Sequence, residues 1–277
     1  MPTLAEAQSI GRQKLTSSLS ADVDVQALLC HVMDCESSRL YLSPEQVMSD
    51  EQWQKFTQFI ERRQQGEPVA HITGSRGFWS LDLAVNRSTL IPRADTELLV
   101  ALALEKLQPE MTVIDLGTGT GAIALSIAKE IENIKVFATD SQSDAIQLAK
   151  KNAAQNALSS VSFIQASWLN AFQTQSFDMV ISNPPYIEYD DPHLQQGDVK
   201  FEPLTALVSG DDGLDDIRVI TRQSRACLKS NGWLIIEHGH EQSQQVQRLF
   251  KQAGFTNISA HSDFGGHNRA VMGQLTL

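Results

Sequence analysis

Long apolar runs, cysteines and basic clusters are all scarce in this sequence of 277 residues. No apolar run reaches the ~18 residues that a membrane-spanning helix needs. The first ten residues, MPTLAEAQSI, lack the basic and apolar segments of a signal peptide. The three cysteines, Cys30, Cys35 and Cys227, are an odd count that disfavours a disulfide framework in a chain of this length. We therefore expect a soluble, cytoplasmic protein with no membrane contact.

Basic residues are also few, since the chain has 22 of them and 33 acidic residues, which gives a net charge of -11. Proteins bind nucleic acid chiefly by neutralising its phosphates with a clustered basic face. No such cluster is visible along the chain, although distant residues could still assemble one on a folded surface. The charge balance thus argues against nucleic acid as the main partner.

The length of the chain suggests one large domain or two domains.

The first part of the sequence has the apolar spacing of helices. The i, i+3, i+4, i+7 spacing of Val25, Leu28, Leu29 and Val32 indicates one buried face of a helix. Ser43-Pro44-Glu45-Gln46 predicts a helix start, with a cap residue before a proline. Ser49 and Gln52 repeat the capping-box spacing ahead of another apolar stripe. We predict a helical domain over 1–68.

Gly66-Glu67-Pro68 ends this helical pattern, since proline lacks an amide donor and restricts the residue before it. From Val69 to Asn86 the chain reads as strands, with apolar and polar residues alternating at the period of a half-buried strand. We predict a β-hairpin linker over 69–90. Asp95 then predicts the N-cap of an apolar helix that runs to Leu107.

The rest of the chain, 91–277, alternates short apolar runs with helical intervals. The predicted strands are Val113–Leu116, Val136–Thr139, Val161–Ile164, Met179–Ser182 and Trp233–Ile236. The predicted helices are Ile123–Ile131, Ala145–Ala154, Leu214–Leu228 and Gln242–Ala253. Alternation of this kind predicts an α/β fold in which helices cover both faces of a parallel sheet.

A glycine-rich loop follows the first of these strands and opens a helix. The loop is Gly117-Thr118-Gly119-Thr120-Gly121, and its glycines allow a tight turn against which a ligand can lie. Asp140 ends the next strand, where a carboxylate can accept hydrogen bonds from both hydroxyls of a ribose. The glycine loop and Asp140 together predict a nucleoside-binding site. It fits an adenosyl methyl donor or NAD, because Gly117, Gly119 and Ala122 also satisfy the looser dinucleotide pattern.

The segment Asn183-Pro184-Pro185-Tyr186 follows the fourth strand and should lie beside the glycine loop, since ligands bind outside the carboxyl ends of parallel strands. Each proline holds the preceding residue extended. The Asn183 Oδ1 and the Pro184 carbonyl can then accept the two hydrogens of a planar amide or aromatic amine, on which Tyr186 can stack. Such a nitrogen is a poor nucleophile, and positioning can contribute ~7–11 kcal/mol to its reaction.

At these residues the sequence resembles the Asn-Pro-Pro-Tyr class of S-adenosylmethionine methyltransferases, and within it the bacterial release-factor glutamine methyltransferases. The segments that carry the resemblance are GEPVAHITGSRGFWSLDL, LIPRADTE, DLGTGTGAIAL, SNPPYI and KFEPLTALVSGDDG. The resemblance implies a Rossmann-like seven-stranded methyltransferase domain with a small α-helical N-terminal domain joined by a β-hairpin linker. Ala94 stands where the family more often has a second proline.

The family's activity implies methyl transfer to the glutamine side-chain nitrogen in the Gly-Gly-Gln motif of class 1 peptide-chain release factors. The product of the donor would be S-adenosylhomocysteine. Gly117 to Gly121, Asp140, Trp168 and Asn183 match donor-binding positions, with Trp168 beside the adenine. The substrate-binding motif is matched by Asn183, Pro184, Pro185 and Tyr186. Of these, the catalytic positions are matched by Asn183, Pro184 and Tyr186. We expect a monomer that uses no metal.

Other hypotheses compete with this one. An adenine-N6 nucleic-acid methyltransferase would use the same Asn183 chemistry on a flipped base, but should show a basic face. A nicotinamide oxidoreductase lacks a visible acid–base pair, and a non-catalytic nucleoside-binding protein would not need the Asn-Pro-Pro-Tyr segment. Cys30, His31 and Cys35 have no second ligand cluster for a metal. Candidates for a general base are Glu237, His238 and His240, which follow the fifth strand.

Overall fold

The structure is a computed structural model that describes residues 1–16 and 18–276. These residues divide into two compact units, one of 1–75 with 195–201 and one of 76–194 with 202–277. Within the described ranges, no helix has both the length and the apolar character needed to cross a membrane.

The smaller unit is helical. Its helices are α1 (Leu4–Lys14), α2 (Ala21–Met33), α3 (Ser37–Leu42), α4 (Asp50–Gln64) and α5 (Val69–Thr73). The apolar faces of α1, α2 and α4 share one core, in which Leu28, Leu29 and Phe56 are almost fully buried. The predicted stripe on α2 and the capping box of Ser49 and Gln52 are confirmed.

Two local predictions in this region are wrong. Ser43 to Gln46 do not begin a helix, because the backbone there bonds to the N-terminal segment instead, with Leu4 N donating to Gln46 O at 3.0 Å. The strand prediction fails at Val69–Thr73, which forms α5. Pro68 precedes its first turn, and Gly74 ends it in the left-handed conformation at φ +78°.

The strands β1 (Ser75–Phe78) and β2 (Leu81–Ala84) form the predicted hairpin, with Trp79 in its turn at φ +54°. After it come α6 (Glu97–Leu104), β3 (Thr112–Leu116), α7 (Ala122–Glu130), β4 (Lys135–Asp140), α8 (Ser143–Gln155), β5 (Ser162–Gln165) and β6 (Phe177–Ser182). The chain continues with α9 (Asp215–Cys227), β7 (Leu228–Glu237), α10 (Ser243–Gln252), β8 (Phe255–Ser262) and β9 (Asn268–Leu275).

In the described part of the larger unit, seven strands form one sheet in the order β5-β4-β3-β6-β7-β9-β8. The first five strands in this order are parallel, and β9 is antiparallel to both β7 and β8. Apolar clusters pack on its two faces, one with residues of α6 and α7 and the other with residues of α9 and α10. The predicted α/β fold with a seven-stranded methyltransferase sheet is confirmed.

The start of α6 differs from its prediction. Ala94–Thr96 form a 3-10 turn, and α6 begins at Glu97 and ends at Leu104 rather than at Leu107. Asp95 does not cap the helix with its side chain, and its carboxylate lies 3.5 Å from Arg269 Nε. The ion pair draws this carboxylate away from the helix amides.

Register brings the loops of the sheet together. Leu116 pairs with Thr139 and with Ser182, and Ser182 pairs with Ile236. These four residues are the last or next to last of β3, β4, β6 and β7. The segments that begin at Gly117, Asp140, Asn183 and Glu237 therefore leave the same edge of the sheet at nearly the same level.

Candidate active site

The glycine loop is a left-handed turn between β3 and α7. Gly117, Gly119 and Gly121 have φ values of +67°, +53° and +87°, which side chains with a Cβ rarely adopt. A Cβ on Gly117 would lie 3.3 Å from the ring of Trp168, so the indole packs directly on the loop backbone. Thr118 N donates to Thr139 O at 2.8 Å and ties the loop to the end of β4.

A buried acid, Asp115, supports the loop from the interior of the protein. Asp115 Oδ2 accepts hydrogen bonds from Thr118 Oγ1 at 2.6 Å and from Ala124 N at 3.3 Å. Its Oδ1 has no hydrogen-bond partner among the described residues. Burial raises the pKa of Asp115 to about 7, against the opposing effect of these two donors. Asp115 therefore joins the two ends of the turn and has no exposure to a ligand.

Asp140 lies at the rim of the same loop with both carboxylate oxygens fixed. Oδ2 accepts from Gly119 N at 3.0 Å and Oδ1 accepts from Gln142 N at 2.9 Å. Burial raises the pKa of Asp140, while the backbone donors act in the opposite direction. Because an ionised carboxylate has about four acceptor positions, Asp140 retains capacity for further hydroxyl donors.

A cavity of about 290 Å³ opens at this edge of the sheet. The structure brings most of the sequence-predicted site residues to its wall, namely Gly117, Thr118, Gly119, Thr120, Asp140, Trp168, Asn183 and Pro185. Gly121, Pro184 and Tyr186 are not among the described residues that line it. Gly121 instead caps α7, and Pro184 is buried.

The Asn-Pro-Pro-Tyr segment is anchored on both sides. Asn183 Nδ2 donates to Thr96 Oγ1 at 3.0 Å. The Tyr186 carbonyl accepts from Gln242 Nε2 at 3.0 Å, and a Cβ on Gly213 would overlap that carbonyl oxygen. The segment is therefore held by Thr96 before α6, by Gly213 before α9 and by Gln242 before α10.

Gln242 links three of these loops through one side chain. Its Nε2 donates to the carbonyls of Tyr186 and of Asp212, at 3.0 Å and 3.3 Å, and its Oε1 accepts from Gly239 N at 2.9 Å. The loops after β6, before α9 and after β7 are thus joined at one point.

Glu237, a candidate base in the sequence, ends β7 and is 1% exposed. Tyr186 Oη donates to its Oε1 at 3.4 Å, and the Thr96 hydroxyl also interacts with this carboxylate. Burial raises the pKa of Glu237 to about 7. His238 is fully buried with Nδ1 on Gly239 O at 2.8 Å, and desolvation lowers its pKa. Neither Glu237 nor His238 belongs to the described cavity wall.

Sequence reasoning missed several supporting residues, of which Glu202 joins two segments far apart in sequence. Its buried carboxylate accepts from Arg93 Nη2 at 2.6 Å and from Ile91 N at 2.9 Å. Thr96, Asn152 and Gln242 are others. LIPRADTE and KFEP stood out as motifs, but only the fold shows that they meet.

Across the parts of the chain that the structure describes, no group of three or more His, Cys, Asp or Glu side chains is arranged to hold a metal ion. Cys30, Cys35 and Cys227 are free thiols.

The seven-stranded order and the glycine loop opposite an Asn-Pro-Pro-Tyr segment define a Rossmann-like methyltransferase. A profile described as a methyltransferase domain matches residues 107–269, and one described as the PrmC N-terminal domain matches residues 6–74. Among solved structures, a methyltransferase from Pyrococcus furiosus superposes with a TM-score of 0.55 at 15% identity, covering 78% of this chain and 98% of that one. At this identity the likeness shows the fold alone.

Sequence relatives define the family more closely. The chain is 46% identical to a release factor glutamine methyltransferase of Aliivibrio fischeri over 96% of this chain and 95% of the relative. It is 45% identical to one of Escherichia coli over 94% and 95% of the two chains. The chain belongs to the family of release factor glutamine methyltransferases.

Proposed function

We propose that this protein transfers a methyl group from S-adenosylmethionine to the side-chain amide nitrogen of the glutamine in the Gly-Gly-Gln motif of class 1 peptide-chain release factors. The observation that carries the proposal is that Asn183 and Pro185 line the same cavity as Gly117 and Asp140. A planar-amide binding segment thus adjoins a nucleoside-binding loop. The named activity of the relatives supplies the substrate. Since release factors act in translation, we place the reaction in the cytoplasm.

The cavity residues fit an adenosyl donor. The Cβ-free backbone at Gly119 has only Thr89 within 4 Å of the position where a Cβ would stand. The Thr89 hydroxyl is buried and lacks a hydrogen-bond partner in the described chain, so it is available to a ligand. We assign the loop from Gly117 to Gly121 to the donor, Asp140 to its ribose and Trp168 to its adenine. The donor supplies an electrophilic methyl group on a positively charged sulfur.

The chain's own residues then hold the acceptor nitrogen. Asn183 Oδ1 and the Pro184 carbonyl accept the two hydrogens of the glutamine amide, which orients its nitrogen toward the methyl carbon. A nitrogen–carbon bond forms as the carbon–sulfur bond breaks with its electron pair going to sulfur. The N-protonated N-methylamide that forms is acidic enough to lose one proton to water, so no protein base is required. The stacking assigned to Tyr186 stays a prediction, since its hydroxyl points to Glu237.

The helical segment 1–68, the linker 69–90 and the catalytic segment 91–277 are the divisions that we propose for binding and chemistry. We assign the helical segment to recognition of the release factor. We also propose that a single chain is sufficient for the reaction.

The test is incubation of the protein with methyl-labelled S-adenosylmethionine and an unmodified release factor, followed by peptide mass spectrometry. We expect one methyl group on the glutamine of Gly-Gly-Gln, and none on a release factor in which that glutamine is alanine. A parallel reaction contains duplex DNA. Methyl groups on adenine alone would replace the protein substrate with a nucleic acid, and the absence of transfer to either would contradict the enzyme assignment.

A further inference from the structure

A buried hydrogen-bond chain lies behind Asn183. Asn183 Nδ2 donates to Thr96 Oγ1 at 3.0 Å, and the Thr96 hydroxyl interacts with the Glu237 carboxylate. Thr96 is 5% exposed and Glu237 is 1% exposed. Thr96 lies in the 3-10 turn before α6, Asn183 directly follows β6, and Glu237 ends β7. Such a chain sets the direction in which each hydrogen points.

The direction follows from the donors and acceptors. An ionised carboxylate can only accept hydrogen bonds, so the single hydrogen of the Thr96 hydroxyl must point to Glu237. The Thr96 oxygen is then an acceptor toward Asn183 and must meet the amino end of its amide. The Asn183 Oδ1 is consequently turned away from Thr96, in a residue that borders the cavity.

We propose that Thr96 and Glu237 are positioning residues that fix the orientation of the Asn183 amide and so present its Oδ1 to the substrate amide. This inference rests on the proposed function. The opposite orientation would set an amino group against the amino group of the glutamine, two donors without an acceptor. The correct orientation is therefore held by the network before the substrate arrives.

The same network predicts how turnover depends on pH. The groups that act on Glu237 are Arg269 on β9, which favours its ionised form, Asp95 in the 3-10 turn, which disfavours it, and the hydroxyls of Thr96 and Tyr186. A protonated Glu237 can donate to Thr96, which frees the Thr96 hydrogen for Asn183 Oδ1 and reverses the amide. Because burial raises the Glu237 pKa to about 7, turnover is expected to rise with pH through neutrality.

Variants at Thr96 test the proposal. Thr96→Val removes the hydroxyl at nearly constant shape, and Thr96→Ser keeps it. We expect Thr96→Val to lower kcat roughly 10- to 100-fold, the range for one lost hydrogen bond at a buried group. KM for the release factor and the Kd of S-adenosylhomocysteine by calorimetry are expected to stay within about twofold of wild type, because Thr96→Val keeps the shape of the cavity wall. Thr96→Ser is expected to restore turnover.

Thr221→Val is the matched control, a buried threonine on α9 whose hydroxyl has no hydrogen-bond partner within the described residues. We expect it to leave kcat unchanged. The pH profile distinguishes positioning from mere stability, since the rise near neutrality is expected to vanish in Thr96→Val and to persist in Thr221→Val. Equal turnover in wild type and Thr96→Val, or an unaltered pH profile in that variant, would overturn the proposal.

A second readout does not depend on the substrate. In wild type, the side-chain amide protons of Asn183, assigned by their loss in Asn183→Asp, are expected to exchange slowly with solvent, and more rapidly in Thr96→Val. Unchanged exchange would refute the network. If wild type failed to methylate the release factor while this difference in exchange held, the proposed substrate alone would be wrong.

Discussion

Asp140 shows how one side chain can be both fixed and still able to bind. Its two oxygens accept from Gly119 N and Gln142 N, so the carboxylate cannot rotate away from the loop. The remaining acceptor positions, one on each oxygen, suit two neighbouring hydroxyls of a ribose.

We expect Asp140→Ala to weaken binding of S-adenosylmethionine by ~1–3 kcal/mol, because a charged hydrogen-bond acceptor is lost. Isothermal calorimetry gives the affinity directly. Asp144→Ala is the control, since it removes the same charge at an exposed position near the start of α8. Equal affinities in wild type and Asp140→Ala would show that the ribose is held elsewhere.

We assign Asn183 the complementary role toward the acceptor. We expect Asn183→Ala to leave donor affinity nearly intact and to lower turnover by roughly 10²–10³, the scale for losing one positioned polar group. Steady-state kinetics with an unmodified release factor measure the change. Asn170→Ala, an exposed asparagine after β5, serves as the control. Near-normal turnover in Asn183→Ala would contradict the role assigned to it.

At the scale of secondary structure, the glycine loop depends on a neighbour from another element. Asn152, fully buried on α8, donates through Nδ2 to Ala84 O at 3.0 Å and to Thr120 O at 2.9 Å. Its Oδ1 accepts from Ala84 N at 2.8 Å. One amide thus pairs with strand β2 as a neighbouring strand would and also holds the glycine loop.

Asn152→Ala leaves these backbone groups without partners, so we expect it to lower the free energy of unfolding by ~2–4 kcal/mol, from a cost of ~1–3 kcal/mol per buried unsatisfied group. Urea unfolding followed by circular dichroism measures this loss. Asn156→Ala, one helical turn later and only partly buried, removes bonds to Asp82 O and to Asn152 O. Its expected cost is below ~1 kcal/mol. Similar losses in the two variants would contradict the bridging role of Asn152.

The elements that were predicted correctly are those with strong local signals. Central strands such as β3 and β6 are continuous apolar runs because both faces of a parallel sheet are covered. The late strands β8 and β9 were not identified individually, since β8 has one mostly exposed, polar side and lacks such a run. The 3-10 turn at Ala94–Thr96 escaped prediction because an ion pair between Asp95 and Arg269, distant in sequence, competes with capping.

At the scale of the whole molecule, the α/β class, the seven-stranded fold and the grouping of loop, acid and Asn-Pro-Pro-Tyr segment could be predicted from sequence. Strand alternation and the rule that ligands bind at carboxyl ends are sufficient for that. The contacts behind the site could not be predicted. Thr96, Glu202 and Gln242 act through partners 30 to more than 100 positions away, and only strand register brings such residues together.

Two fully buried acids shape the stability of the protein. Burial raises the pKa of Asp115 and of Glu237 to about 7, whereas unfolded carboxyl groups titrate near ~4. Between these values the folded state binds more protons than the unfolded state, so stability falls as pH rises from about 4.5 to 7. Asp191, Asp212 and Asp263 have lowered pKa values and contribute in the opposite sense, at lower pH.

We expect the free energy of unfolding to decrease between pH 5 and 7.5, with a slope of up to ~1.4 kcal/mol per pH unit for each acid. Asp115→Asn removes one of the two contributions, so its slope is expected to be smaller. Urea unfolding across this pH range compares the two proteins. Parallel pH dependences in wild type and Asp115→Asn would show that Asp115 is already ionised in the folded state.

Gln242 has a consequence for how this edge of the sheet moves. A loop with its own independent hydrogen bonds can open alone, whereas loops that share one amide lose a common partner whenever any of them separates. The loops after β6, before α9 and after β7 share Gln242 in this way. Their amide hydrogens should therefore exchange as one cooperative unit, so that a substrate entering beside Tyr186 would meet a wall that opens as a whole or stays closed.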